Sequence, residues 1–236
     1  MSEGTFRRTT WFERKVVAGF YLGVVAVLKT ARFYHIRNER YAAAISDLVG
    51  LALREGQVAL DLGCGPGGIT ARLRGPRLLV GIDSDRFALL HSIEPSTQRI
   101  QARAERLPIR AQSVSVAVAI SLVEHVADQS AFFRELARIL APGGLAVLQI
   151  PELRFPIEPH TKWPLLYVWN SSVRARVLAA TGYDDLNMST SLAGVIRHAE
   201  AAGFHTDRVV PIWLLRLARL VGMPMGYFTL FRKVGA

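Results

Sequence analysis

The chain has 236 residues, of which 50% are hydrophobic and 20% are charged. That length and apolar content suffice for one α/β domain with a sizeable core. Its single cysteine excludes an intrachain disulfide, so the sequence favours a cytoplasmic protein. The net charge of +10 fits RNA, anionic lipid or an acidic substrate as partner, and the total does not distinguish among them. No charge block or low-complexity tail resembles a nucleic-acid-binding arm.

The N-terminal part of the chain contains an apolar run, residues 16–28, with basic residues on both sides. The run is shorter than the roughly 20 apolar residues that a bilayer span needs. It also lacks a convincing small-residue cleavage site of the kind that follows a signal peptide. The sequence therefore predicts a helix that the mature protein retains.

A glycine-dense loop follows the first predicted strand. Residues 59–68 read Ala-Leu-Asp-Leu-Gly-Cys-Gly-Pro-Gly-Gly, which joins an apolar strand to a turn and then to a helix. Glycines allow sharp turns and bring backbone N–H groups close to a ligand. Gly63, Gly65 and Gly68 also fit the G-x-G-x-x-G pattern of dinucleotide-binding proteins. The loop alone therefore indicates a nucleotide cofactor without distinguishing a nicotinamide enzyme from other classes.

Further strands are predicted at residues 77–83, 98–103, 113–121 and 145–150. The first of these ends in Asp83, where a carboxylate can accept hydrogen bonds from both hydroxyls of a ribose. A helix is predicted over residues 128–140, with Asp128 as its N-cap, and it stops at the Ala-Pro-Gly-Gly sequence of residues 141–144.

Near the C-terminus, strands are predicted at residues 205–210 and 227–232, with a helical stretch within residues 211–225 between them. Arg216 and Arg219 share one face of that stretch, and its apolar surface is broader than a typical core stripe. A basic amphipathic helix of this kind lies either in a membrane headgroup region or in an ordinary core. Both interpretations remain open.

The ordered landmarks of the chain carry a family resemblance. They read DLGCGxG at residues 61–67, GID at 81–83, AExLP at 104–108, EH at 124–125 and LxPGG at 140–144. In this order they resemble the class I S-adenosylmethionine-dependent methyltransferases, specifically the small-molecule group, over residues 55–151. The resemblance disfavours a nicotinamide enzyme. It implies a Rossmann-like seven-stranded, mostly parallel sheet with helices on both faces and an antiparallel last strand.

The resemblance also implies the cofactor, S-adenosylmethionine, and its contacts. In the family the glycine loop contacts the methionine half of the cofactor, the acid after the second strand holds the ribose, and residues after the third strand contact the adenine. The residues predicted to bind the cofactor are Asp61, Gly63, Cys64, Gly65, Asp83, Ser84, Ala104, Glu105 and Ser121. Cys64 has no Cys or His partner at ligand spacing, so it is interpreted as neither a nucleophile nor a metal ligand.

Catalytic residues are expected after the fourth and fifth strands, because ligands of open α/β sheets bind beyond the carboxyl ends of the strands. His125 is one candidate for a general base, with Glu124 to orient it. The same dipeptide is widespread in the family with many acceptors, so a structural or cofactor-side role for it stays open.

An insertion at residues 151–187 is the other source of candidates. Its prolines and aromatic residues suit a pocket wall better than a solvated linker. His160 is the first candidate for the base, and Glu158 is its partner or a ligand for a cationic group. Alternatively, both residues cap a helix or form bridges to Arg154 and Lys162.

No metal site is predicted. Glu124 and Asp128 alone do not form the acidic cluster of a metal-dependent methyltransferase, and Glu158 with His160 is an incomplete ligand set.

The sequence thus predicts an enzyme that transfers a methyl group from S-adenosylmethionine to oxygen or carbon of a small or lipid-like apolar acceptor. An RNA methyltransferase is an alternative supported only by charge. Methylation of a base nitrogen is disfavoured, because residues 121–124 read Ser-Leu-Val-Glu where such enzymes carry an Asn/Asp-Pro-Pro-aromatic sequence. The other alternative is a methyltransferase-like protein that binds the cofactor without catalysis.

The predicted domain organisation has two parts, residues 1–54 and residues 55–236. In the resembling family an extra N-terminal helical segment often covers the cofactor, so residues 1–54 are predicted to form a helical lid or a membrane-associating segment. An anionic membrane surface is accordingly a candidate partner, and peripheral association with the inner face of the membrane is an alternative to a purely cytoplasmic location. The sequence does not predict the oligomeric state.

Overall fold

A computed structural model of the chain describes residues 31–50, 57–69, 72, 78–91, 98–158, 160–161, 163–164, 166–183, 185–213, 222 and 224–235. Within these residues the strands are β1 Val58–Leu62, β2 Leu78–Asp83, β3 Gln98–Gln101, β4 Val114–Ile120, β5 Leu140–Pro151, β6 Phe204–Ile212 and β7 Gly226–Lys233. The helices are α1 Ala31–Val49, α2 Arg86–Leu90, α3 Gln129–Ile139, α4 Ser171–Thr181 and α5 Leu192–Ala201. The chain divides into two compact units, Met1–Arg37 and Asn38–Ala236, and the strands all belong to the second.

The described strands form one seven-stranded sheet in the order β3-β2-β1-β4-β5-β7-β6. Strands β1 to β5 pair in parallel, whereas β7 pairs antiparallel with both β5 and β6. The predicted Rossmann-like sheet with an antiparallel last strand is therefore confirmed. Because β1, β2 and β4 are parallel neighbours, their carboxyl ends lie together at one edge of the sheet.

Helices cover both faces of the sheet, as predicted. Side chains of β4 alternate between two apolar clusters, as the period of a strand requires. Val116 and Val118 pack in the cluster that contains Ile45 of α1, whereas Ala117 packs in the cluster that contains Phe132 of α3. These two clusters form the core on either side of the sheet and fix the strands whose ends carry the site.

Helix α3 begins as predicted. The side chain of Asp128 accepts a hydrogen bond from the backbone N–H of Ala131 at 2.8 Å, and the helix runs to Ile139. The start of the following strand was predicted too late. β5 begins at Leu140, which pairs with Val114 of β4, and regular pairing resumes at Leu145 after an irregularity. The Pro-Gly-Gly sequence thus forms a bulge within the strand pair and does not separate the helix from the strand.

Three predicted segments lie largely or wholly outside the described residues: the apolar run at 16–28, the helix after the glycine loop, and the amphipathic stretch within 211–225. No helix in the described part of the chain is long and apolar enough to cross a membrane.

Candidate active site

The glycine loop lies between the carboxyl ends of β1 and β2. The backbone N–H groups of Gly63 and Cys64 both donate to the carbonyl of Ile82, at 2.8 and 3.2 Å. Gly63 and Gly65 have φ angles of 68° and 52°, in the left-handed region that side chains rarely adopt. A Cβ on Gly63 would also lie 2.9 Å from Cδ1 of Leu122. Glycine is therefore required there by both conformation and space.

Asp83, at the end of β2, holds this loop in place. Its Oδ2 accepts a hydrogen bond from the backbone N–H of Gly65, and its Oδ1 accepts one from the backbone N–H of Asp85, both at 2.8 Å. A carboxylate has about four lone-pair sites, so each oxygen keeps capacity for a further donor such as a hydroxyl. Asp83 is thus fixed by the protein and still able to bind a ligand.

Cys64 is held as a neutral thiol. Burial raises the pKa of its thiol to about 12, and the charges of Asp61 and Asp83 act in the same direction. Because only the thiolate is nucleophilic, we expect Cys64 to react with iodoacetamide at pH 8.5 at least about 100-fold more slowly than an ordinary cysteine. The rate measured by mass spectrometry on the folded chain, against the urea-unfolded chain, tests this. Equal rates in the two states would contradict it.

A cleft of about 510 Å³ opens beside the loop at the carboxyl ends of β1, β2 and β4. Six of the nine residues predicted to bind a cofactor line it: Gly63, Asp83, Ser84, Ala104, Glu105 and Ser121. Asp61, Cys64 and Gly65 do not line the cleft, and Asp61 is only 3% exposed. Three further residues of the cleft wall, Arg103, His125 and Asp185, carry polar side chains.

Ser121 follows β4 with a φ of 51°, which is uncommon for a residue with a side chain. Its hydroxyl donates a hydrogen bond to Oε1 of Gln149 on β5, at 2.6 Å. Strained backbone of this kind concentrates at ligand sites. Here it turns the chain at the cleft wall into the short 3-10 helix Val123–His125.

A group of ionisable side chains lies at this wall and behind it, here called the Glu-His cluster: Glu124, His125, Glu158, His160 and Asp185. The two glutamates are fully buried. The carbonyl of Glu124 accepts a hydrogen bond from the N–H of Asn187, at 2.8 Å. That bond ties the segment after α4 to the end of β4, so residues distant in sequence meet at one edge of the sheet.

Glu158 is the most heavily hydrogen-bonded member of the cluster. Its carboxylate accepts the backbone N–H groups of His160 and Thr161, and its Oε1 lies 2.6 Å from Nδ1 of His160. Burial alone would raise the pKa of Glu158, but its hydrogen bonds and the charge of His160 outweigh burial and lower that pKa. The predicted contact between Glu158 and His160 is therefore present, and the glutamate is ionised.

His160 lies between two carboxylates. Nδ1 faces Glu158, and Nε2 lies 3.3 Å from Oε1 of Glu124. Burial lowers the pKa of His160, but its contacts with the carboxylates of Glu124 and Glu158 outweigh burial and raise the pKa to about 9. His160 therefore carries a proton at neutral pH, which differs from the expectation of a free general base. In this state it links two buried carboxylates.

His125 has a different partner from the one predicted. Its Nδ1 lies 3.1 Å from Oδ2 of Asp185, whereas Glu124 faces His160, so the interpretation that Glu124 orients His125 is wrong. The ring centroids of His125 and His160 lie 5.1 Å apart in an edge-on contact, and those of His160 and Tyr183 lie 5.4 Å apart. Sequence reasoning missed Asp185 and Tyr183, whose only signal was their position inside the predicted insertion.

We expect Glu158→Ala to lower the free energy of unfolding by about 3–5 kcal/mol, because it removes one partner of a buried ion pair and leaves the N–H groups of His160 and Thr161 without their acceptor. Denaturant unfolding measures the loss. Glu152→Ala, in the same insertion but partly exposed, is the control and should cost less than about 1 kcal/mol. Equal losses in the two variants would contradict the role given to Glu158.

Comparison with known proteins identifies the family. The family described as a methyltransferase domain matches residues 60–148. A methyltransferase of Mycobacterium sp. strain JLS, itself uncharacterised, is 30% identical over 177 residues that cover 71% of this chain and 69% of that protein. The chain belongs to the S-adenosylmethionine-dependent methyltransferase family. A probable S-adenosylmethionine-dependent methyltransferase of Mycobacterium tuberculosis is 31% identical over 153 residues, which cover 64% of this methyltransferase. The chain spans about half of that relative, 53% of its length.

The fold of this methyltransferase also agrees with solved structures. An S-adenosylmethionine-dependent methyltransferase from Mesorhizobium loti superimposes with a TM-score of 0.64 at 18% identity, covering 81% of this chain and 96% of that one. At this identity the likeness shows the fold alone.

The cleft of the methyltransferase fits S-adenosylmethionine, the cofactor of its family. It offers a carboxylate with free lone-pair sites at the end of β2, as a ribose requires. It also offers left-handed glycine backbone at the end of β1, where a Cβ on Gly63 would meet Leu122. A carboxylate that can accept from ribose hydroxyls and a glycine backbone without side chains, both at the wall of one cleft, therefore match a nucleoside cofactor.

Proposed function

We propose that the protein transfers a methyl group from S-adenosylmethionine to oxygen or carbon of a small or lipid-like acceptor with a substantial apolar body. The observation that carries the proposal is that His125 and Asp185 belong to the Glu-His cluster and also line the cofactor cleft. The cleft thus borders groups that can bind and deprotonate an acceptor. We place the reaction at that border.

The residues that line the cleft are assigned cofactor contacts, and these assignments are part of the same proposal. Asp83 holds the ribose, the loop at Gly63 and Gly65 faces the methionine half, and Ala104 with Glu105 flank the adenine. Ser84 and Ser121 complete the wall, while buried Asp61 and partly buried Cys64 support the loop. S-adenosylmethionine supplies an electrophilic methyl group on a sulfonium when bound.

The protein's own contribution is to align the acceptor, exclude water and, for a hydroxyl acceptor, take its proton. His125 is the imidazole that lines the cleft, so we assign it the contact with the acceptor oxygen. With Nδ1 donating to Asp185, its Nε2 is free to accept a proton. We assign His160 and Glu158 as positioning residues, because both ring nitrogens of His160 face carboxylates.

The insertion supports an apolar acceptor. Its small core contains buried Leu166, Leu178 and Leu186, and Tyr183 packs against that core. Tyr183 also contacts the ring of His160 at a centroid distance of 5.4 Å. An acceptor that reaches the Glu-His cluster would therefore lie near an aromatic ring of the insertion. The cytoplasmic location and the contact of residues 1–54 with an anionic membrane surface remain predictions of the sequence.

The test is a labelling experiment with fractionation. The protein is incubated with methyl-labelled S-adenosylmethionine and an extract of its source cells, and the organic, aqueous and RNA fractions are counted. We expect label in the organic phase, and we expect Asp83→Asn to abolish it. Asp85→Asn, two residues away, should leave the labelling intact.

The other outcomes identify the alternatives. Label in RNA would overturn the acceptor class and explain the net charge of +10. Cofactor binding by calorimetry without label in any fraction would support a cofactor-binding protein without catalysis.

A further inference from the structure

We propose that Glu124, His125 and His160 bind one divalent transition-metal ion, through a carboxylate oxygen of Glu124 and the Nε2 atoms of both histidines. The sequence predicted no metal, because Glu124 and His160 lie far apart along the chain. Folding brings one ligand atom from each of the three residues within 4.8 Å of the others.

The separation of the ligand atoms suits an ion. Two ligands that each lie about 2.1 Å from a tetrahedral ion are roughly 3.4 Å apart. Nε2 of His160 and Oε1 of Glu124 lie 3.3 Å apart. His125, which is only partly buried at the cleft wall, offers the third ligand atom within 4.8 Å of the other two.

Each of the two histidines also has a carboxylate beside its Nδ1 atom, as metal-binding imidazoles commonly do. A ligating histidine usually donates its other ring N–H to a carboxylate or carbonyl, which fixes the tautomer and turns the remaining nitrogen to the metal. Here Nδ1 of His160 lies 2.6 Å from Glu158, and Nδ1 of His125 lies 3.1 Å from Asp185. Two such pairs that converge on one glutamate are an independent reason for the assignment.

The carboxylate of Glu124 is a separate observation in favour of a ligand at this site. It is fully buried, and among the described residues neither of its carboxylate oxygens has a hydrogen-bond partner. Its one close charge is the 3.3 Å contact with His160, which Glu158 shares. Burying an ionised carboxylate without hydrogen bonds is costly, and buried charges in proteins are paired or coordinate metals. A divalent ion at Glu124 removes that cost.

The donor set selects the class of ion. Two imidazole nitrogens and one carboxylate oxygen suit Zn²⁺, Co²⁺, Mn²⁺ or Fe²⁺, whereas Mg²⁺ and Ca²⁺ prefer oxygen ligands. Three protein ligands leave open positions on the ion. Since His125 lines the cleft, the ion would border the cofactor cleft, and an acceptor hydroxyl could ligate it and be acidified. This last step rests on the proposed function, and with the ion bound His125 acts as a ligand in place of a base.

Ion binding is tested with Co²⁺ and Zn²⁺ alone on the full, tag-free chain, after treatment with a chelator and desalting. Calorimetry and the visible absorption of Co²⁺ should show one ion per chain. We expect Glu124→Gln and His125→Asn each to weaken binding at least about tenfold. The control His205→Asn alters a second histidine that pairs with an aspartate, Asp207, and should leave the affinity unchanged.

Absence of binding in the wild-type chain, or equal affinity in the wild type, Glu124→Gln and His125→Asn, would overturn the proposal. Circular dichroism checks that each variant folds. If Glu124→Gln does not fold, His125→Asn alone decides, because that side chain is partly exposed. Affinity for S-adenosylmethionine, measured on the same samples, reports on the proposed function alone, so the two proposals can fail separately.

Discussion

Asp83→Ala is expected to weaken the binding of S-adenosylmethionine by roughly 100-fold or more. The proposed ribose contact consists of two hydrogen bonds to a charged oxygen pair, and each such bond contributes about 1.5–3 kcal/mol. The structure adds a second cause, because the same carboxylate accepts the backbone N–H of Gly65 at 2.8 Å and so holds the glycine loop. The variant thus loses both the ligand contact and the anchor of the loop that faces the ligand.

Asp83→Asn separates the effect of the side chain's charge on cofactor affinity from the effect of its size. The amide keeps the size of the side chain but carries only one acceptor oxygen. Oδ1 and Oδ2 accept different backbone N–H groups, so an NH₂ group must oppose one of these donors. We therefore expect a loss of affinity in this variant as well, without a cavity to explain it.

Isothermal titration calorimetry with S-adenosylmethionine measures both variants. Asp85→Asn is the matched control, because Asp85 caps α2 through the backbone N–H of Phe87 at 2.8 Å and does not line the cleft. Asparagine is an equally good N-cap, so this change should alter neither stability nor affinity appreciably. Unchanged affinity in Asp83→Ala would exclude the ribose assignment.

The strands and their ends could be predicted because the signals are local. An apolar run that closes on Asp83, or one that opens into the glycine loop, specifies a buried strand and its carboxyl end within a few residues. Parallel pairing then places such ends at one edge of the sheet, whatever the connecting segments do. The cleft therefore lies where the sequence predicted it.

The start of β5 shows where local reasoning stops. The Pro-Gly-Gly sequence predicts a break between helix and strand, and Gly143 does have a left-handed φ of 72°. The strand nevertheless begins at Leu140, because Val114 of the neighbouring strand pairs with it before the bulge. Backbone pairing depends on the neighbour, and the neighbour is not visible in the local sequence.

The Glu-His cluster could be predicted only in part. Glu158 and His160 are two residues apart, and their contact follows from a tight turn. The contacts of Glu124 with His160 and of Asp185 with His125 join the end of β4 to two separate parts of the insertion. Residue types alone do not show which carboxylate meets which imidazole. The sequence therefore paired Glu124 with the wrong histidine.

These contacts give the insertion a structural role in addition to lining the cleft. The imidazolium of His160 lies between Glu158 of the insertion and Glu124 at the end of β4, so the fold of the insertion is coupled to the edge of the sheet that borders the cleft. Buried charges tolerate little displacement, because each must keep its partners. The cluster can thus fix the position of the insertion relative to the edge of the sheet that borders the cleft.

His125→Asn is expected to lower turnover by about 100-fold or more, because a positioned acid or base contributes roughly 10²–10⁴ to a rate. Asparagine cannot accept a proton, and it is a poor substitute for imidazole as an ion ligand, so the loss is expected whether His125 acts as base or as ligand. Affinity for S-adenosylmethionine should change little, since the ribose and methionine contacts are assigned to other residues. We therefore expect kcat to fall while the affinity for the cofactor stays the same.

His205→Asn is the matched control for that measurement. Nδ1 of His205 lies 3.0 Å from Oδ1 of Asp207 on β6, so the control removes a histidine with the same kind of carboxylate partner, outside the cleft. Asp185→Asn should give an intermediate loss, because it leaves the imidazole in place and removes only the carboxylate that orients it. Single-turnover rates at saturating S-adenosylmethionine are measured for the three variants and compared with the wild type. Equal rates for His125→Asn and His205→Asn would remove His125 from the reaction and leave the Glu-His cluster with a purely structural role.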